Sequence, residues 1–424
     1  MSFVYTFGCR LNSYESQSIK QILDVLNIKD AIAINTCTIT NEAERQCRQK
    51  IRQLKKLNPA SKIIVTGCAA ELHMDMFFEM SEVDFVLNNK AKLNVKAYQQ
   101  IADHFNDKKE KSTHQIFGEN IEYIDNEINY VYNFENKSRA FLKIQDGCNH
   151  YCSFCIVPFV RGKMKSTPMD RIFKETENLL KSGYNEIVLT GVDITDYGTD
   201  LKDNGKTTLS NLCDLILEKF PELSRLRLSS VDVSEVDDKM LELLTEHDRF
   251  CSYLHISLQS GSNKILKAMR RRHTRENVFE FCEKVRKIKP FAAFGADIIA
   301  GFPSESQSDF EESLDLVKNA PITFVHAFPY SQKEQTLAAR MKDDVEKSVK
   351  KDRVLQLIEA GKVNMQKLNQ KMLGHEFLAI IEKGGIARAE NFAEMVIPKT
   401  TIPKNLMKVK CIEIVDDKLI AEVI

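Results

Sequence analysis

The chain has 424 residues, of which 43% are hydrophobic and 28% are charged, a balance typical of a globular protein with two or three domains. Lys plus Arg and Asp plus Glu each number 60, so the net charge indicates no nucleic-acid or acidic partner, and any such surface must be local. No apolar run approaches the roughly 20 residues of a membrane-spanning helix. The N-terminus lacks the form of a signal peptide, so we expect a cytoplasmic protein that does not contact a membrane.

Short apolar runs alternate with helical patterns through residues 1–112, the first predicted domain. The predicted strands are 3–7, 31–34, 62–66 and 83–87. The predicted helices between them are 13–26, 41–57 and 70–80. Strands that alternate with helices predict a parallel α/β sheet, and sites in such sheets form beyond the carboxyl ends of the strands.

A cysteine follows each of the first three predicted strands: Cys9, Cys37 and Cys68. Neighbouring parallel strands lie about 4.8 Å apart, so three thiolates at these ends can converge on one metal cluster. Gly8 and Gly67 would let the backbone turn sharply beside them. The alternative is three independent buried cysteines, since free cysteine is often buried. An odd total of 11 cysteines favours metal or redox chemistry over a disulfide framework.

A helix rich in cations and a polar connector complete the first third. Residues 45–56 contain no acid and carry the cations Arg45, Arg48, Lys50, Arg52, Lys55 and Lys56. Such a stripe fits either a phosphate backbone or a solvated helix face, and both interpretations stay open. Residues 113–138 are predicted to be a linker with one short hairpin.

A second group of cysteines has the spacing C-x3-C-x2-C: Cys148, Cys152 and Cys155. It follows a predicted strand at 140–145. Three thiolates do not complete a structural zinc site, which needs four protein ligands. They can hold three irons of a cubane cluster and leave the fourth open. The alternatives are a zinc loop or three unrelated cysteines.

The predicted second domain, residues 139–365, repeats the strand–helix pattern. With 140–145, its strand candidates are 186–190, 225–229, 253–258, 292–300 and 322–328. These make six β/α units, too few for a closed eight-stranded barrel, and an amphipathic helix at 343–365 ends the domain. Residues 366–424 alternate apolar and polar residues over four predicted strands, which indicates a small antiparallel β-barrel. Its acidic and basic residues nearly balance, so a structural or protein-binding barrel is as good an interpretation as an RNA-binding one.

Two sets of motifs resemble known families. The cysteine loop, followed by Ile156-Val157-Pro158, resembles the signature of radical S-adenosylmethionine enzymes. The segments Thr6–Asn12, Asn35–Thr40 and Val65–Ala69 look like the amino-terminal domain of the methylthiotransferases. The resemblance implies two 4Fe–4S clusters, one on Cys148, Cys152 and Cys155 and a second, sulfur-handling one on Cys9, Cys37 and Cys68. It also implies an open six-stranded partial barrel and a C-terminal TRAM domain that binds RNA.

The resemblance also implies which residues contact the cofactor. It places the S-adenosylmethionine contacts at Phe154, Gly191, Asp193, Ser229, Gln259 and Ser260. Arg271 is the best catalytic candidate within a run of basic residues. For each polar residue, an ordinary turn or helix cap is the alternative. This chain has Ser257 where the family usually has proline, a departure that affects rigidity more than chemistry.

Gly8–Asn12 resembles the family branch that acts on threonylcarbamoyladenosine in tRNA. The implied reaction replaces hydrogen at the second carbon of the adenine ring with a methylthio group. S-adenosylmethionine would serve as methyl donor and as radical source. The implied partners are the tRNA anticodon stem-loop, an electron donor such as flavodoxin and a sulfur source. The alternatives are methylthiolation of isopentenyladenosine or of a ribosomal-protein aspartate, or an iron–sulfur protein that only binds RNA or senses redox state.

Overall fold

The structure is a computed structural model that describes residues 2–106, 115–117, 127–135, 137–201, 207–398 and 404–424. The chain forms two compact units. The N-terminal unit comprises Met1–Asn133, Gly147–Asn149 and Ile156–Lys163. The C-terminal unit comprises Phe134–Asp146, His150–Cys155 and Met164–Ile424. The loop that carries the second cysteine group therefore contributes segments to both units, and the predicted four-part division of the chain stays a prediction.

The N-terminal unit contains a five-stranded parallel sheet in the order β1-β2-β3-β4-β5. Its strands are β1 (Phe3–Thr6), β2 (Ala31–Thr36), β3 (Lys62–Gly67), β4 (Phe85–Leu87) and β5 (Gln115–Phe117). The helices are α1 (Arg10–Val25), α2 (Asn41–Leu57), α3 (Cys68–Leu72), α4 (Met74–Phe78), α5 (Val95–Asn106) and α6 (Val157–Arg161). The parallel α/β prediction is confirmed, and β5 is a strand where the sequence predicted a linker. The predicted linker, in which we expect a short hairpin, includes 118–126, which lie outside the described residues.

Helices cover both faces of this sheet, so its central strands are buried and mainly apolar. Every residue of β2 is buried. On one face, Ile19 and Ile22 of α1 pack with Tyr98 and Ile101 of α5. On the other face, α2 and α4 contribute a second apolar layer. Continuous burial of this kind is typical of a doubly covered parallel sheet.

The C-terminal unit begins with an open parallel barrel. Its strands are β6 (Ala140–Lys143), β9 (Glu186–Thr190), β10 (Arg225–Leu228), β11 (Ser230–Val231), β12 (Tyr253–Gln259), β13 (Ala293–Ala300) and β14 (Ile322–Pro329), with a small antiparallel pair β7 (Gln145–Asp146) and β8 (Lys165–Ser166). The parallel strands form two segments, β10-β9-β6 and β11-β12-β13-β14. Because β11 continues β10 after Ser229, there are six strand positions. The predicted six-unit partial barrel is confirmed.

Helices connect these strands, as the pattern predicted. They are α7 (Met169–Lys181), α8 (Leu209–Lys219), α9 (Asp238–Glu246), α10 (Asn263–Ala268), α11 (Arg275–Ile288), α12 (Gln307–Asn319) and α13 (Lys347–Met372). Helix α13 extends beyond the predicted 343–365 range at its C-terminal end. None of the helices within the described residues is long and apolar enough to cross a membrane.

The chain ends in a closed five-stranded barrel in the order β15-β16-β17-β19-β18. The strands are β15 (Glu376–Glu382), β16 (Ile386–Ala389), β17 (Glu394–Val396), β18 (Leu406–Val415) and β19 (Lys418–Val423). The small barrel is confirmed, but the expectation that it is wholly antiparallel is wrong, because β17 and β19 pair in parallel. The sequence pattern missed β16, since the turn at Gly384 and Gly385 leaves only four residues for it.

Candidate cluster and cofactor sites

Cys9, Cys37 and Cys68 lie just beyond three neighbouring strands that end at the same level. Thr6 pairs with Asn35, and Thr36 pairs with Gly67, so the carboxyl ends of β1, β2 and β3 share one edge. Cys9 is the N-cap of α1, Cys37 directly follows β2, and Cys68 opens α3. The parallel topology therefore places all three thiols at the edge where ligand sites form.

The backbone approaches Cys37 closely at Gly8. Gly8 has a φ of +92°, and a Cβ atom there would lie 2.9 Å from Cβ and 3.0 Å from Sγ of Cys37. The pKa of Cys37 is raised to about 12, mainly by burial and also by the nearby thiols of Cys68 and Cys9. Cys37 and Cys68 are buried, whereas Cys9 is exposed. A buried thiol with a raised pKa is not a thiolate unaided, but a bound metal deprotonates it. This donor set therefore fits an iron–sulfur cluster held by Cys9, Cys37 and Cys68.

A buried polar network lies beside these thiols. Arg161 of α6 donates to Glu15 of α1 over 2.9 Å and to Oδ1 of Asn12 over 2.7 Å. Lys92 donates to the same carboxylate of Glu15 over 2.6 Å. Burial raises the pKa of Cys68, while Arg161 and Lys92 oppose that rise. The two cations thus favour negative charge at the thiol edge.

We expect Gly8→Ala to prevent assembly of the cluster on the N-terminal unit, because the new methyl group would collide with Cys37. The measurement is iron and acid-labile sulfide per chain after anaerobic reconstitution, with a loss from eight irons toward four as the order-of-magnitude expectation for two 4Fe–4S clusters. Gly183→Ala is the matched control. Gly183 also has a positive φ, +81°, but a Cβ there meets nothing within 4 Å. Equal iron contents in the two variants would contradict the steric argument.

The second cysteine group occupies a loop between β7 and α6. In the N-terminal unit, the amide of Cys148 donates to the carbonyl of Gly162 over 3.2 Å. In the C-terminal unit, the amide of Cys155 donates to the carbonyl of Cys152 over 3.0 Å. All three cysteines are partly exposed. Three accessible thiols at the spacing C-x3-C-x2-C fit a cubane cluster with one open iron.

Arg271 lies against this loop within the C-terminal unit. Its Nη1 lies 3.5 Å from Sγ of Cys152, and its Nη2 donates to Asp232 and to the carbonyl of Ser257, each over 2.7 Å. His273 contacts Asp232 through Nδ1 at 3.1 Å. Burial raises the pKa of Asp232, but His273 and Arg271 outweigh it and hold that pKa below its usual range. Asp232 therefore fixes Arg271 so that its guanidinium faces a thiol.

The predicted contacts around β9 form a tight turn. A Cβ atom at Gly191 would lie 2.9 Å from the side-chain and backbone oxygens of Gln145. The carboxylate of Asp193 lies 2.6 Å from Nε2 of His150, and this contact raises the pKa of His150. Phe154 packs in an apolar cluster with Phe302 and other residues. Gly191 and Asp193 thus adjoin each other, whereas Phe154 belongs to a separate apolar layer.

The other three predicted contacts lie beyond neighbouring strands. Ser229 is buried between β10 and β11. Gln259 ends β12 with a φ of +68°. Ser260 is fully buried, lies 3.3 Å from the hydroxyl of Ser313 and accepts from the amide of Ser262. Ser260 therefore shapes the turn itself, and its predicted contact with a cofactor stays a prediction, as do those of Ser229 and Gln259.

The structure adds functional candidates that sequence reasoning did not single out: Asp232, His273, His150, Glu15 and Lys92. Asp232 follows β11 directly, which is a usable signal for a site residue. Glu15 and Lys92 are both buried and belong to the polar network beside the thiols. Their partners are remote in sequence, so no local pattern indicates the pair.

Two family models match the chain. The model of the radical SAM superfamily matches residues 142–317. The model described as uncharacterized protein family UPF0004 matches residues 2–88. The first match covers most of the open barrel with its cysteine loop. The second covers most of the parallel sheet with the other three cysteines.

Several curated proteins are similar over nearly their whole length. A protein of Rickettsia prowazekii named threonylcarbamoyladenosine tRNA methylthiotransferase MtaB is 42% identical over 93% of this chain and 91% of its own. A protein of the same name from Aquifex aeolicus is 33% identical, over 92% of this chain and 95% of its own. A tRNA-2-methylthio-N(6)-dimethylallyladenosine synthase of Carboxydothermus hydrogenoformans is 34% identical, over 89% and 87%.

Among solved structures, the radical S-adenosylmethionine methyltransferase TsrM of Kitasatospora setae is similar in fold. The TM-score is 0.53 at 12% sequence identity, over 76% of this chain and 68% of that one. At this identity the likeness concerns the fold alone. The relatives, the two family models and the two cysteine groups agree. This chain belongs to the radical S-adenosylmethionine methylthiotransferases, enzymes that use 4Fe–4S clusters and S-adenosylmethionine.

Proposed function

We propose that this enzyme converts N6-threonylcarbamoyladenosine next to the anticodon of tRNA into 2-methylthio-N6-threonylcarbamoyladenosine. The observation that carries this proposal is the coexistence of two cysteine triplets, one beyond three parallel strands and one in the loop after β7, in a chain 42% identical to a protein named for that nucleoside. Gly8–Asn12, at the first triplet, supports the same branch of the family by resemblance.

The chemistry of the reaction explains why the proposed site depends on cysteines that hold a cluster and not on a general base. The hydrogen at the second carbon of adenine is not acidic, so no side chain of ordinary basicity can remove it as a proton. When bound, the cluster on Cys148, Cys152 and Cys155 and its S-adenosylmethionine would supply a radical for that step. The protein then binds the substrate and the cofactor, orients them toward each other and excludes water from the site.

Within each unit, named residues perform that positioning. We assign Cys148, Cys152 and Cys155 as ligands of one cluster, and Cys9, Cys37 and Cys68 as ligands of the other. Arg271 is a positioning residue that donates to the thiol of Cys152 and is itself held by Asp232. Arg161 and Lys92 place positive charge near Cys68, which favours anionic sulfur at the second cluster.

The proposed substrate must leave its base stack to be modified, and that costs less in an anticodon loop than in a duplex. The exposed part of α2 and the C-terminal barrel are the proposed RNA surfaces. On α2, Arg45 pairs with Glu42 and Lys55 pairs with Asp84. Arg52 lies 3.9 Å from Glu82. Because these cations of α2 lie beside acids, the helix offers fewer free positive charges to an RNA phosphate backbone than its sequence indicates. An electron donor such as flavodoxin and a sulfur source complete the proposal, with the cytoplasm as its location.

Mass spectrometry of tRNA nucleosides tests the proposal, comparing cells that lack the protein with cells in which it is restored. We expect 2-methylthio-N6-threonylcarbamoyladenosine to disappear and its precursor to accumulate in the deletion. Loss of a different methylthio nucleoside would overturn the choice of substrate and favour isopentenyladenosine. If every tRNA nucleoside is unchanged, a ribosomal-protein aspartate becomes the leading target.

A further inference from the structure

Away from the cysteines, two histidines and an aspartate converge within the open barrel of the C-terminal unit. They are His255 on β12, Asp297 on β13 and His326 on β14. Nε2 of His255 lies 3.1 Å from Oδ1 of Asp297, and Nδ1 of His326 lies 3.4 Å from the same oxygen. One ligand atom from each residue lies within 4.8 Å of the other two.

The register of the sheet brings these side chains together. Asp297 pairs with His326, and His255 pairs with Gly295, two residues before Asp297. Because residues two apart on a strand share a face, the three side chains project from one face. A Cβ atom at Gly295 would lie 2.4 Å from Nδ1 of His255 and 2.3 Å from the hydroxyl of Tyr253. Glycine therefore leaves the space that the His255–Tyr253 pair occupies.

We propose that His255, Asp297 and His326 bind a divalent first-row transition metal ion such as Zn²⁺ or Fe²⁺, with coordination positions left open. Two imidazoles and one carboxylate are ligands that such ions prefer. Bonds of about 2.0–2.1 Å in a tetrahedral shell place neighbouring ligand atoms about 3.3 Å apart. The 3.1 Å and 3.4 Å separations from Asp297 match that spacing, and the imidazole nitrogens lie within 4.8 Å of each other.

The surroundings of the three side chains support a metal site. The hydroxyl of Tyr253 lies 3.2 Å from Nδ1 of His255, as outer partners of ligating histidines do, and this orients Nε2 toward Asp297. The side chain of His326 is 55% exposed and that of Asp297 is 34% exposed. The open positions thus face solvent and can accept water or an oxygen of a substrate.

The competing explanation is a hydrogen-bonded His–Asp–His group that binds no ion. Binding of Co²⁺ distinguishes a metal site from this hydrogen-bonded group. Oxidised 4Fe–4S clusters are diamagnetic, so they do not obscure the paramagnetic signal of high-spin Co²⁺. The full chain with both clusters assembled and oxidised is titrated with Co²⁺, and bound cobalt is followed by electron paramagnetic resonance and metal analysis. We expect one Co²⁺ per chain, displaced by Zn²⁺.

Two variants and one control make the test specific. His326→Ala removes a half-exposed ligand and Asp297→Asn keeps the shape of the side chain, and each should weaken Co²⁺ binding at least tenfold. His375→Ala removes an exposed imidazole elsewhere in the same unit and should bind Co²⁺ as the unaltered protein does. The iron content of each variant reports whether it has folded. Absence of bound Co²⁺ in the unaltered protein, or equal binding in all variants, would overturn the proposal. This test is independent of the tRNA substrate.

Discussion

Cys152→Ala should abolish reductive cleavage of S-adenosylmethionine, whereas Cys37→Ala should preserve that cleavage and abolish methylthiolation of tRNA. The first change removes one of three proposed ligands of the cluster that binds the cofactor. It also removes the sulfur that Arg271 contacts at 3.5 Å. The second change removes a buried ligand from the other triplet, at the edge of a different sheet. The two variants should therefore separate radical formation from sulfur insertion.

The measurement is 5′-deoxyadenosine formed per chain under anaerobic reduction, with methylthio nucleoside in tRNA quantified in the same reaction. We expect at least a thousandfold loss of 5′-deoxyadenosine in Cys152→Ala, because removing an essential part of a catalytic unit commonly costs that order of magnitude. Cys213→Ala is the control, since Cys213 is fully buried in α8 and belongs to neither triplet. If Cys37→Ala also lost cleavage while its remaining cluster was intact by spectroscopy, the division of labour would be refuted.

The cysteine positions could be predicted from sequence because their signals are local. The second triplet has a diagnostic spacing, and each member of the first triplet follows an apolar strand. Arg271 was singled out by resemblance to the family, within a run of cations, and its contact with Cys152 is visible only in the structure. Strand and helix periodicity was sufficient for the parallel sheet and the partial barrel, because each element carries its own pattern.

Features that depend on contacts between distant residues could not be predicted in this way. The parallel pairing of β17 with β19 follows from closure of the C-terminal barrel. The sequence of neither strand indicates whether the two pair in parallel or antiparallel. Asp297 and His326 adjoin only because β13 and β14 are in that register. The contact between Ser260 and Ser313 likewise depends on the fold, and the predicted cofactor contact of Ser260 stays a prediction. The local sequence indicates candidate site residues, and the topology of the fold determines which of their side chains are neighbours.

Glu186→Gln should destabilise the C-terminal unit by about 3–5 kcal/mol, the usual cost of breaking a buried ion pair from one side. Glu186 opens β9 and is fully buried. Its carboxylate accepts from Nε of Arg227 over 2.7 Å and from Nη1 of Arg225 over 3.3 Å. Arg139 lies 3.8 Å away. Glutamine of nearly the same shape would leave these guanidiniums without their shared counterion.

The same arginines join the open barrel to the C-terminal barrel within this unit. Arg227 donates to the carbonyl of Glu390 over 2.9 Å, and Arg225 donates to the carbonyls of Arg388 and Leu378. Loss of Glu186 should therefore also loosen the small barrel and expose it to protease. The measurements are the urea midpoint of the full chain and the rate of limited proteolysis. Glu177→Gln, which removes an exposed acid paired with Lys181 on α7, should change neither.

The pH dependence of stability provides a second readout with a defined sign. Burial raises the pKa of Glu186, but Arg227, Arg139 and Arg225 outweigh it and lower that pKa from 4.5 to about 2. A carboxyl with a lowered folded pKa stabilises the protein above its unfolded pKa and loses that contribution as pH falls through the folded one. Stability should thus decline between pH 4.5 and about 2 more steeply in the unaltered protein than in Glu186→Gln. Equal slopes and equal urea midpoints would mean that the buried arginines do not depend on this carboxylate.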